Sequence, residues 1–162
     1  MRTKRAVGHR DRATPAAVPR AVTGVRPSAM RLLVLATEPV GADRIRAALP
    51  DDDLAGAEVL VVSPAVNESA VAFWMSDSDE AIADARSTAE RTAADLGAGG
   101  ARARATTGES EPLLALQDAL STFQADRVLV FVRDDDAARY REDDVVGEAE
   151  RRFGVPVTEV TV

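Results

Sequence analysis

The 162 residues are 46% hydrophobic, enough for one ordinary core and no second. No apolar run approaches the roughly 18 residues of a membrane helix. Cysteine is absent and the one histidine, His9, lies before the first strand-like segment. Disulfides, thiolate metal sites, Ser-His triads and histidine general-base chemistry are thereby argued against.

Charge divides the chain. Residues 1–29 carry seven Lys or Arg against Asp11 alone, whereas residues 30–162 carry 13 against 26, a balance of −13 within the total of −7. The first segment has three prolines, few large apolar residues and no periodicity, so it is expected to be a disordered basic tail. It has no continuous apolar stretch of the kind that marks a secretory signal, and a cytoplasmic location is expected. A nucleic-acid or membrane-surface arm is one reading of it. The simpler reading is sequence upstream of a start at Met30, which directly precedes the first strand.

From Met30 onward short β-rich runs alternate with helical periods. "RLLVLA" (31–36) is the first expected strand, followed by a short helix over 41–49. "EVLVV" (58–62) is the second. A long connection then carries Phe73, Trp74 and Met75, which are expected to fold over the core as a lid, with an apolar ligand pocket or partner surface as the alternative. The second helix spans 77–97, with Asp77 and Glu80 near capping-box spacing and Ile82, Ala85, Ala89, Ala93 and Leu96 on one stripe. "ARARAT" (101–106) is the third strand. The helix after it, over 110–123, has Pro112 in its first turn and stacks Leu113, Leu116, Leu120 and Phe123. "RVLVFV" (127–132) is the fourth strand. A last helix, 143–153, places Val145 or Val146, Ala149 and Phe153 on one face and stops at Gly154, before a fifth strand, "VPVTEVTV" (155–162).

Alternating strands and helices with short connections predict a parallel sheet covered on both faces, a Rossmann-like α/β domain over 30–162. Strands one, two and four are nearly continuous in apolar residues, as strands buried on both faces are. Pattern alone does not set the strand order. If it is 3-2-1-4-5, the crevice between strands one and four is the default ligand site. Thr37, Glu38, Ser63, Gly108 and Arg133, at or near the strand ends, are the crevice candidates.

Four stretches also carry a family resemblance: "RLLVLATEP", "VLVVSPAVN", "TGESEPLLALQDAL" and "AERRFGVPVTEVTV". In order and spacing, about four fifths of the chain resembles a universal stress protein domain. It is similar in particular to a divergent actinobacterial branch with "FW" and "SD" after the second strand, here Phe73-Trp74 and Ser76-Asp77. The resemblance implies a five-stranded parallel sheet of order 3-2-1-4-5 and dimerisation through the last strand, and one subgroup binds ATP. ATP-binding members carry G-x-x-G, about nine residues, then G-[ST] after strand four, so that backbone N–H groups cradle phosphates. Here that segment reads "RDDDAARYREDDVVGE", with Gly147 its one glycine. Asp134, Asp135 and Asp136 would repel a triphosphate unless a divalent cation intervened. Arg133, Arg139 and Arg141 are expected to be neutralised by neighbouring acids. At strand one, where relatives place an aspartate on the nucleoside, the chain has Thr37-Glu38-Pro39.

The expectation is a stress-associated, non-catalytic binding or interaction module that is not a standard ATP binder. No cofactor is expected. The alternatives are ATP or AMP held in a non-standard way, or a Mg²⁺-dependent phosphoryl-transfer enzyme using Glu38, Asp134 and Asp136. The last strand, Val155 to Val162, alternates β-formers along an exposed edge, and a two-fold homodimer contact there would cover it.

Overall fold

A computed structural model describes residues 29–65, 78–134 and 144–162. Most of the basic tail, the Phe73-Trp74-Met75 cluster, the capping residue Asp77 and the acidic run from Asp135 to Asp143, with Asp136, Arg139 and Arg141, lie outside the described residues.

Five strands, β1 (Arg31–Ala36), β2 (Glu58–Pro64), β3 (Arg102–Gly108), β4 (Arg127–Val132) and β5 (Val157–Thr161), form one sheet of order β3-β2-β1-β4-β5. Every neighbouring pair is parallel. Four helices join them among the described residues: α1 (Ala42–Ala48), α2 (Ser78–Ala98), α3 (Pro112–Thr122) and α4 (Val145–Phe153). β1 and β4 have their expected bounds, β2 runs on through Ser63 and Pro64, and β3 is shifted two residues at its far end.

The apolar runs of β1, β2 and β4 are buried on both faces because they hold the sheet's centre. Alternate residues feed two cores. Leu32, Val34, Val59, Val61, Leu129 and Phe131 face α1 and α2, while Leu33, Leu35, Leu60, Val62, Val128 and Val130 face α3 and α4. Alanines 85, 89 and 93 give α2 a smooth buried stripe that lets it lie close to the sheet. Ile82, expected on that stripe, is instead 40% exposed near the helix start. The third helix buries Leu116, and Phe123 just past its end is buried too, with Leu113 and Leu120 half-buried beside them.

Helix ends follow local chemistry. Pro112 occupies the first turn of α3, where its missing N–H costs nothing. Arg151 and Arg152 close α4 against the negative end of its dipole, and Gly154 ends it with φ +65°. No helix of the described residues is long and apolar enough to cross a membrane.

Candidate functional site

In this strand order the chain leaves β1 toward one face and β4 toward the other, which opens a crevice at their carboxyl ends. Thr37 and Glu38 follow β1 directly and are half-buried. Arg133 and Asp134 follow β4, the first half-buried and the second exposed. Ser63 lies one strand over, beside Ala36 by the β1–β2 register, in which Leu35 pairs with Val62. Gly108 is farther out, on the edge strand, paired with Pro64. With strands about 4.8 Å apart, Gly108 and Arg133 stand roughly 14 Å from each other and do not share one pocket.

The turn from β1 into α1 is held from across the core. Thr92 Oγ1, on α2, accepts the Val40 N–H at 3.0 Å, and Asp95 Oδ2 accepts the Ala42 N–H at 2.6 Å. Thr92 is buried and occupied in this way, and Arg44 and Ile45 donate to the Gly41 carbonyl. Two donors that such a turn could aim at a phosphate, the Val40 and Ala42 N–H groups, are therefore directed at side chains of α2. Asp95 adds a carboxylate where an anion would have to approach.

Two hydroxyls lack that kind of satisfaction. Ser63, 1% exposed, and Thr37 each hold a shielded side-chain oxygen with no hydrogen-bond partner. They lie at the carboxyl ends of adjacent strands. Unpaired buried hydroxyls are uncommon enough to need a reason.

The acids around β4 do not gather into a metal centre within the described residues. No group of three or more His, Cys, Asp or Glu is placed to hold a metal ion there. Glu38 and Asp134 can be judged, whereas Asp136 lies outside the described residues. At the start of α4, Asp144 has φ 46°, and its carboxylate bonds Arg151 at 2.9 Å. Glu148 bonds the same guanidinium at 3.0 Å. These bonds, Asp144's first and Glu148's second, hold Arg151 above the ordinary arginine range. Gly147 leaves the space that the Asp144 carboxylate occupies, because a Cβ there would collide with it. The one glycine of the segment is thus used for a helix start.

Gly108 likewise has a packing role. A Cβ at this position would fall 2.7 Å from the Ala115 Cβ and 3.0 Å from Val62 Cγ1, so glycine lets α3 sit against the strand end. Beside it lies a groove of about 540 Å³ with a floor of Val62, Ala115 and Ala119, a rim at Ile82, and two carboxylates, Glu109 and Asp118. No basic residue lines it among the described residues. Sequence reasoning missed this groove. The available signal was the Arg-Ala-Arg-Ala-Thr alternation of β3, which marks one face of that strand as uncovered.

The fold and crevice define a five-stranded parallel α/β domain with a switch-point cleft. No protein-family model matches the chain, and no curated protein matches it.

Proposed function

We propose that the chain is a universal stress protein-like, stress-associated binding or interaction module without catalytic activity, whose crevice does not hold ATP in the usual manner. The observation that carries this reading is the capture of the β1–α1 turn by Thr92 and Asp95, which occupies the Val40 and Ala42 N–H groups that a phosphate would need. The Asp144–Arg151–Glu148 cluster at the start of α4 supports it, because that helix start is occupied by the chain's own charges. Self-association, expected from the sequence through the last strand, Val155 to Val162, belongs to the same reading. Among the described residues two strands, β3 and β5, pair on one side only.

One observation favours a second reading, in which ATP or AMP, with or without Mg²⁺, binds in a non-standard pose. The unpaired Ser63 and Thr37 hydroxyls lie at the carboxyl ends of adjacent strands, beside the crevice, and a nucleoside hydroxyl or ring nitrogen would satisfy them. Thermal denaturation with ATP, AMP and Mg²⁺ at millimolar concentration decides between them. Ligand present at 100 times its Kd would stabilise the fold by about 2.7 kcal/mol, a readable rise in Tm. The expected result is no rise. A rise with ATP or AMP that Ser63→Ala abolishes would replace the first reading with the second.

A further inference from the structure

We propose that two copies of this chain pair through β3, antiparallel about a two-fold axis at Ala105, to make one ten-stranded sheet from two five-stranded ones. The proposal rests on the self-association in the functional reading above and names the edge that performs it. Its starting point is the direction of the main-chain groups. Arg102 donates its N–H to the Ala57 carbonyl and the Gly108 carbonyl accepts from Ala65, so residues 102, 104, 106 and 108 turn toward β2. In a strand the next residues turn the opposite way, which aims the N–H and C=O of Ala103, Ala105 and Thr107 outward. Among the described residues β3 pairs with β2 alone.

A two-fold axis at Ala105 brings these groups into register. Ala105 exchanges both its bonds with Ala105 of the second copy, and Ala103 does so with Thr107, giving about six main-chain hydrogen bonds. The side chains agree with that register. Small alanines meet at the axis on the α2 face. On the α3 face, Arg104 stands opposite the second copy's Thr106 and Arg102 opposite its Gly108, so no like charges stand directly opposite each other, and the two Arg104 side chains are diagonal neighbours.

Charge complementarity extends past the strand. Thr106 lines the acidic groove together with Asp118 and Glu109. The Arg104 guanidinium, 65% exposed, lies on the same face, over the Phe123 ring and 3.3 Å from Glu58 Oε1, an exposed pair that costs little to exchange. The two-fold operation sets the Arg104 side chain beside the second copy's groove, and a rotamer change that releases Glu58 turns it toward Asp118 and Glu109, which have no basic neighbour in the lining. An isologous contact must be self-complementary in this way, basic at one end of the strip and acidic at the other.

The β5 edge is less well prepared. Val162 donates to Val132 and Pro156 accepts from Val128, which leaves Val157, Glu159 and Thr161 facing outward. The Val157 N–H is already taken by Glu150 Oε1 at 2.9 Å. A pairing that uses the whole strand would set Glu159 against Glu159, a like-charge contact at the axis.

The test is the mass of the full chain by sedimentation velocity, beside four variants. The wild type is expected to be a dimer. Ala105→Pro removes an outward N–H without touching the β2 ladder and should be a folded monomer; Glu159→Pro makes the equivalent change on β5 and should remain a dimer. Arg104→Glu and Asp118→Arg should each weaken the dimer about tenfold or more, while their equimolar mixture forms a heterodimer in which both bridges are restored. That mixture keeps the test decisive if the proline variants fail to fold. A monomeric wild type would overturn both the proposal and the self-association reading. A dimer that survives Ala105→Pro and is lost in Glu159→Pro would overturn the proposal alone and assign the contact to β5.

Discussion

Thr92 couples two parts of the chain that the sequence separates by 52 positions. Its hydroxyl is buried and spent on the Val40 N–H, so Thr92→Val keeps the shape while leaving a buried donor unpaired. The expected loss is about 1–3 kcal/mol in urea denaturation, and Thr92→Ser, which keeps the oxygen, should lose less than the valine variant. A smaller loss in the valine variant than in the serine variant would mean that the methyl group, and not the hydrogen bond, holds the turn. Glu58 is a contrasting case. It reaches both Arg31 at 3.5 Å and Arg104 at 3.3 Å, but all three side chains are partly exposed. Such pairs are screened by solvent, which makes Glu58 a minor contributor to stability.

Elements were legible where one physical pattern dominated. β1 and β4 were readable because an apolar run buried on both faces can hardly be placed elsewhere, and α4 because Gly154 with φ +65° ends it. Ile82 misled because its periodicity fits the stripe, whereas the start of α2 leaves it on a groove rim; the spacing of one helix says nothing of where its neighbours stop. The strand-end candidates Thr37 and Glu38 were legible from the abrupt change after Ala36. What answers that turn was not, since Asp95 lies 53 residues away and reads locally as a solvated helix acid.

Phe123 ties these scales together: it ends α3, is 2% exposed, and carries the Arg31 guanidinium 4.7 Å above its ring. Phe123→Ala is expected to cost about 3–5 kcal/mol through the cavity it opens. Phe123→Leu keeps most of the apolar volume and gives up the ring face, so its cost should stay near 1–1.5 kcal/mol in the same denaturation experiment. If the leucine variant loses as much as the alanine variant, the Arg31 contact outweighs the packing.

The whole molecule carries its charge unevenly, and that sets its response to salt. Residues 30–162 hold 13 basic and 26 acidic residues, so the folded part repels itself. The described ion pairs are partly exposed, among them Arg127–Asp52 at 3.5 Å and Arg46–Asp43 at 2.8 Å. Screening weakens both the repulsion and the pairs. Exposed pairs contribute at most about 1 kcal/mol each, whereas repulsion acts among all the acids at once. From about 0.01 M to about 1 M NaCl the screening length falls from roughly 30 Å to roughly 3 Å, which removes the long-range term first. Tm is therefore expected to rise across that range. The rise should be steeper for a chain beginning at Met30, whose net charge is −13 where the full chain has −7. A fall in Tm with salt would mean that the ion pairs outweigh the repulsion. Equal slopes would mean that the basic arm does nothing to offset the acidic body, and would leave its seven cations available to an anionic partner. Salt-sensitive binding of duplex DNA by the full chain, lost on removal of residues 1–29, is the signature such a partner would give.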